Sequence, residues 1–280
     1  MAERATIRVT VLASNTVGTR GLLAEHGLAF WVEAGDRRLL FDTGQGLVLA
    51  ANAKALSIDL QTVDTVVLSH GHYDHTGGLA SVLGKTLGCV TVHAHPDALL
   101  PKFHREEAGT RSIGIPLPSL TSLSGPRCHL LPSREPVEVM PGVCTTGEIP
   151  RRHLDEPTTE PLCLDPEGDH ADPLLDDQAL FVATGQGTIV LLGCAHAGVV
   201  NTLDRIKDLT GNAPLRAVLG GLHLRAASPE RLARTLAALQ RFAIETLCPM
   251  HCTGMAATAA LWATFPGGCV PGAVGTTWAF

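Results

Sequence analysis

A buried strand that runs straight into a histidine cluster constrains this chain more than any other feature. Thr65-Val66-Val67-Leu68-Ser69 is apolar and β-branched, and His70-Gly71-His72-Tyr73-Asp74-His75 follows at once. Imidazole and carboxylate together suit zinc, and also iron or manganese. Alternate residues beyond a strand point to one side, so His70 and His72 can grip one ion. Asp74 and His75 then emerge at the turn into a helix and face a second position, the arrangement used by two-metal hydrolytic sites. A polar loop of hydrogen-bonding histidines is a poor account of three histidines and one aspartate within six residues.

The rest of the chain can house such a site. Of 280 residues, 45% are apolar and only 17% charged, so a large core is readily buried. Aromatics are 4%, with a single tyrosine, which leaves Leu, Val, Ile and Ala to fill that core. The formal charge of −6 gives no pull toward nucleic acid or an anionic membrane. An anionic small-molecule substrate must therefore be held locally, by metal or by a few arginines.

No apolar run approaches the roughly 18 residues of a spanning helix. Thr6 to Leu12 alternates like a strand and is too short and charged for a signal-peptide core. Eight cysteines without Cys-x-x-Cys spacing read as reduced thiols, which predicts a cytoplasmic enzyme. Cys194 and Cys252 flank candidate ligands, and Cys248-x-x-x-Cys252 has no second pair to complete a structural zinc site.

Patterning predicts strands at Thr6 to Ala13, Leu28 to Ala34, Arg37 to Phe41 and Cys89 to His93. It predicts helices at Leu47 to Leu56 and Gly78 to Thr86. Residues 95 to about 178 hold most of the prolines, ten of the eighteen lying between Pro96 and Pro157, and read as an irregular, substrate-facing insertion with a few short strands, such as Val137 to Met140 before Pro141-Gly142. Order returns with a hairpin around Gly185-Gln186-Gly187, then helices at Val199 to Leu209 and Pro229 to Phe242, the second capped by Ser228. Thr188 to His196 resembles Thr65 to His70: each is a strand that delivers histidine, then glycine, then a helix.

His-x-His-x-Asp-His is the signature of the metallo-β-lactamase fold superfamily, and the flanking segments resemble its other motifs. Leu40-Phe41-Asp42-Thr43-Gly44, Gly193-Cys194-Ala195-His196 and Pro249-Met250-His251-Cys252 occur in the order that family uses. The resemblance implies one domain over residues 1–280 with a four-layer αββα sandwich, an α/β fold. It implies that His70, His72 and His196 bind a first metal, and Asp74, His75 and His251 a second. Asp42 would orient the loop from behind, and Zn²⁺ would fill one or both positions, with Mn²⁺ or Fe²⁺ as alternatives. Where relatives often place a bridging aspartate, this chain has Gly220-Gly221-Leu222-His223, so His223 is a candidate catalytic residue beside Asp74.

Ala24-Glu25-His26-Gly27, Gln45, Thr146 to Arg151, Ala197 to Asn201 and Gly220 to His223 resemble a narrower branch. It is similar to proteins labelled 7,8-dihydropterin-6-yl-methyl-4-(β-D-ribofuranosyl)aminobenzene 5′-phosphate synthase. The implied activity is metal-dependent hydrolysis, preferably of a phosphoester or phosphosugar or pterin-type molecule. Lactone or thioester hydrolysis, the synthase reaction itself, and a non-catalytic metal-binding sensor are the alternatives. His26, Glu148 and Arg151 are candidate substrate contacts.

Overall fold

The computed structural model describes residues 6–156 and 160–280. Contacts divide the chain into two compact units: Met1–Arg134 with Glu160–Asp176 and Ala273–Phe280, and Glu135–Thr159 with Asp177–Gly272.

The first unit is built on a seven-stranded sheet. It contains β1 (Ile7–Ala13), β2 (Ala29–Ala34), β3 (Arg37–Phe41), β4 (Thr65–Val67), β5 (Val90–Ala94), β8 (Cys128–Pro132) and β16 (Thr277–Ala279). The spatial order is β16-β1-β2-β3-β4-β5-β8. The β16, β1, β2 and β3 neighbours pair antiparallel, whereas β3, β4, β5 and β8 run parallel. Parallel neighbours need a crossover, and α1 (Leu49–Ala55) and α3 (Leu79–Lys85) provide it for β3–β4 and β4–β5. Leu49 and Ala53 of α1 and Leu79, Val82 and Leu83 of α3 share one core with Leu40, Val66 and Val92. Val9, Val11, Phe30, Val32, Leu39 and Phe41 alternate onto the other face and are also buried.

The second unit has a six-stranded sheet of β9 (Glu138–Met140), β10 (Val143–Thr145), β12 (Leu180–Thr184), β13 (Gly187–Leu192), β14 (Leu215–Gly221) and β15 (Thr246–Met250). Its order is β15-β14-β13-β12-β10-β9, with β13, β14 and β15 parallel. Helices α5 (Val199–Leu209), α6 (Pro229–Gln240) and α7 (Met255–Thr264) follow those three strands in turn. Val199, Leu203 and Ile206 of α5, Leu239 of α6 and Leu261 of α7 pack with Val190, Val218 and Leu247 of the sheet. The likeness between Thr65 to His70 and Thr188 to His196 thus has a topological counterpart, since each strand leads through a helix to a parallel neighbour.

The cap predicted for α6 forms: Ser228 Oγ accepts from Arg231 N at 3.2 Å, and Pro229 occupies the first turn. Ser228→Ala removes that acceptor and is expected to cost about 1 kcal/mol in denaturant unfolding. A change below about 0.3 kcal/mol would mean the cap is dispensable.

The proline-rich stretch is divided between the units and holds short elements. The first unit takes β6 (Phe103–Glu106), β7 (Gly109–Ser112), β11 (Leu162–Cys163) and α4 (Leu117–Ser122). Pro116 sits at the start of α4, Pro132 ends β8 and Pro161 precedes β11, so proline punctuates these elements instead of abolishing them. The remaining helix, α2 (Tyr73–Thr76), is one turn that carries Asp74 and His75. Among the described residues no helix is long and apolar enough to cross a membrane.

Candidate metal centre

The histidine cluster is organised from behind by Asp42. This residue directly follows β3 with φ of 59°, a left-handed conformation uncommon outside glycine, and it is fully buried. Its Oδ1 accepts Ser69 N at 2.7 Å, and its Oδ2 accepts Ser69 Oγ at 2.7 Å and lies 2.7 Å from His75 Nδ1. Ser69 Oγ in turn stands 2.8 Å from His70 Nδ1. One carboxylate therefore fixes the tautomer and ring orientation of two histidines, leaving Nε2 of each directed elsewhere. Thr43 completes the clamp, with N and Oγ1 donating to His75 O at 2.7 and 3.0 Å.

The donor atoms converge. His70 Nε2 and His72 Nδ1 are 3.0 Å apart, and the His70 and His75 ring centroids 4.3 Å. Asp74 Oδ2 lies 3.8 Å from His75 Nε2, too far for a hydrogen bond. Two donors on one ion with ~2.1 Å bonds sit roughly 3.0–4.2 Å apart for bond angles from right to straight. Both pairs fall in that window. Burial, reinforced by the Lys102 charge, pushes the His72 imidazole down to about 4, even though Asp74 opposes the shift. His72 is therefore neutral near pH 7, the form that ligates.

His26 takes up a defined place here. Its Nε2 is 3.2 Å from Asp74 Oδ2, its Nδ1 is 3.2 Å from Asn15 Nδ2, and the side chain is partly exposed. Glu25 Oε1 and Oε2 accept Gln45 N and Leu47 N at 3.0 Å each, and Gln45 Nε2 donates to His26 O. These bonds join the Glu25-His26 segment to the loop after Asp42. Burial raises the Glu25 pKa, and these backbone donors pull it back only in part.

A buried cation supports the same loop. Lys102 is 1% exposed, and its Nζ donates to Asp172 Oδ2 at 2.8 Å and Asp176 Oδ1 at 3.0 Å. Asp176 Oδ2 accepts Gly71 N at 2.8 Å, between His70 and His72. A Cβ on Gly71 would come 2.2 Å from Ala98 O and 2.9 Å from Lys102 Cε, so only glycine fits there. Sequence reasoning did not find Lys102, Asp172 or Asp176. The local hint was a lone lysine among prolines and an Asp-Asp pair ahead of a buried strand.

In the second unit, His196, His223 and His251 lie just beyond the C-terminal ends of β13, β14 and β15. His196 and His251 are buried and His223 half-buried, and the His196 and His223 ring centroids are 4.3 Å apart. Asp177 Oδ2 accepts Ala197 N at 2.8 Å, fixing the turn after His196. Glu156 accepts Val200 N and Asn201 N at 3.2 and 3.0 Å, serving as a remote cap for α5. Burial raises its pKa despite those bonds. Glu148 and Arg151 are half-buried in the segment leading from β10 to Glu156, and Arg152 pairs with Asp208 at 2.7 Å.

Known proteins agree with this architecture. The family model described as Metallo-beta-lactamase superfamily matches residues 23–251. A 7,8-dihydropterin-6-methyl-4-(beta-D-ribofuranosyl)-aminobenzene-5'-phosphate synthase from Methanocaldococcus jannaschii is 31% identical over 265 residues, covering 90% of this chain and 89% of its own. The crystal structure of Tm1679, a metal-dependent hydrolase of the beta-lactamase superfamily, superposes with a TM-score of 0.82 at 30% identity, over 97% of this chain and 98% of that one. Zn(2+)-bound PqqB from Methylobacterium extorquens shares the fold, with a TM-score of 0.60 at 15% identity over 97% and 99% of the two chains.

The chain belongs to the metallo-β-lactamase superfamily and has its α/β fold. Members typically bind divalent metals such as zinc. The buried imidazoles and the carboxylate of the first unit fit such an ion by donor type and by spacing.

Proposed function

We propose that this protein is a metal-dependent hydrolase of small anionic molecules, with a phosphoester, phosphosugar or pterin-type compound as substrate. In this reading His70, His72 and His196 hold one divalent ion and Asp74, His75 and His251 hold another. Zinc is the first choice, with Mn²⁺ or Fe²⁺ able to use the same donors. The carrying observation is the buried Asp42–Ser69–His70 and Asp42–His75 network, which fixes the ring orientations of two histidines in a cluster of donor atoms. Tm1679, 30% identical and named a metal-dependent hydrolase, supports the reaction class.

A divalent ion in such a set supplies Lewis acidity and lowers the pKa of water toward ~7. The chain's own residues do the rest. Asp74 accepts a proton or orients water, and His26, hydrogen-bonded to Asp74 and partly exposed, carries that proton to solvent. His223 stabilises developing negative charge, and Glu148 and Arg151 contact the substrate, the guanidinium pairing with an anionic group.

A second reading follows from the Methanocaldococcus jannaschii relative, whose printed name is that of a synthase. On it the protein joins a ribose phosphate to an aminobenzoate.

One experiment tests both. Purified protein is assayed for bound metal and for turnover of a phosphodiester, phosphomonoester, lactone and thioester panel with Zn²⁺, Mn²⁺ or Fe²⁺. In parallel it receives phosphoribosyl pyrophosphate and 4-aminobenzoate, with pyrophosphate and carbon dioxide as the readout. His72→Ala is expected to lose most metal and all turnover. Full metal content and full activity in that variant would sink the ligand assignment. Pyrophosphate release without hydrolysis of the panel would select the synthase.

A further inference from the structure

Two cysteines of the second unit are not used by the proposed function. Cys194 lies two residues beyond β13, His223 two beyond β14 and Cys252 two beyond β15. These strands are adjacent and parallel, so their C-terminal ends place three chain segments side by side. The ligand-type atoms of Cys194, His223 and Cys252 all fall within 4.8 Å of one another. Cys194 and Cys252 are buried, and the Cys252 thiol donates to Cys194 O at 3.5 Å.

The backbone at these turns is specialised. Ala195, His223 and His251 have φ of 57°, 49° and 50°, and each is, or adjoins, one of the three residues. Left-handed backbone at three non-glycine positions carries strain, which the surrounding fold must sustain. A Cβ on Gly221 would come 2.6 Å from Cys252 Sγ and 2.4 Å from Gly193 O, so this glycine leaves the room the thiol occupies.

We propose that Cys194, His223 and Cys252 form a thiolate-rich site for one soft divalent cation, zinc by preference. Two thiols and an imidazole are a set that zinc takes with a fourth position left to water. Bonds of ~2.3 Å to sulfur and ~2.1 Å to nitrogen put the donors roughly 3.6–3.8 Å apart, a contraction of about 1 Å from the present limit. Binding displaces one proton from each thiol to solvent, so the cation's two charges are balanced by two thiolates. Here His223 serves as a ligand in place of the charge-stabilising role given above, while the roles of the other residues in the hydrolase reading are unchanged.

The test loads reduced, metal-free full-length protein with Co²⁺ and follows thiolate-to-cobalt charge transfer in the near ultraviolet. Oxygen and nitrogen ligands alone do not give that absorption. The band is expected in wild type, in Cys89→Ser (an exposed thiol) and in His72→Ala, and is expected to vanish in Cys194→Ser and Cys252→Ser. Cobalt binding without the band in wild type overturns the proposal, whatever the variants do. A band that survives Cys252→Ser, or disappears with His72→Ala, overturns it too, because the thiol would then serve another centre. So does a thiol assay in which both cysteines are lost to a disulfide under the same conditions. Hydrolytic activity is not a readout, so failure here is separable from failure of the functional reading.

Discussion

Replacing Asp42 with alanine is expected to lower metal affinity by about 10–100-fold although no proposed ligand is removed. The carboxylate accepts Ser69 N and Ser69 Oγ and pairs with His75 Nδ1, each at 2.7 Å and all fully buried. Its loss frees the rings of His70 and His75 to rotate and change tautomer, so their Nε2 atoms no longer converge. It also strands a buried amide, a hydroxyl and an imidazole N–H, at roughly 1–3 kcal/mol each if water does not enter. Asp42→Asn separates the two effects. The amide can keep the bond from Ser69 N, but presents a donor where His75 Nδ1 and Ser69 Oγ need an acceptor. Metal titration followed by elemental analysis should rank wild type above Asp42→Asn and Asp42→Ala, with stability following in denaturant. Wild-type metal affinity in both variants would mean that the histidines position themselves.

Local signals made most of the scaffold legible. The predicted limits of α5 match the structure at both ends, because apolar spacing and Gly198 define one amphipathic segment. β4 and β13 were readable because strands buried on both faces are almost wholly apolar. Helix α7 was missed: Met255 to Thr264 is rich in alanine and shows no one-sided stripe. Among the prolines, Val137 to Met140 was legible and β9 spans Glu138–Met140, whereas β6 and β11 were missed because they draw on distant partners, each other among them. At the site, the contiguous residues His70 to His75 announced themselves by type and spacing. Lys102 did not, since its carboxylates are 70 and 74 residues away in sequence and only folding unites them. Cys194, His223 and Cys252 were each visible in the sequence, but their grouping was not, since they stand beyond three different strand ends.

The largest loss of stability should come from Lys102→Met. It leaves Asp172 and Asp176 buried with no cation, and removing one partner of a buried ion pair costs roughly 3–5 kcal/mol. At about 2–4 °C per kcal/mol for chains near this size, the unfolding transition should fall by about 6–20 °C. The pH dependence has a definite sign. Burial pulls the Lys102 pKa down, but the charges and hydrogen bonds of Asp176 and Asp172 outweigh it and hold the pKa above the ordinary lysine value. A pKa raised by folding gives stability that is complete below the unfolded value of ~10.4 and is lost as pH climbs through the folded value. The gap between wild type and Lys102→Met should therefore stay constant from neutral pH to about 10 and close only in stronger alkali. Adding Asp172→Asn and Asp176→Asn to Lys102→Met removes the stranded charges and should recover much of the loss, which plain overpacking by methionine would not allow. Metal affinity adds an independent readout, because Asp176 also holds Gly71 N between His70 and His72. If the single variant unfolds within about 1 kcal/mol of wild type, water or another cation must already neutralise these aspartates, and the lysine is not what braces the loop.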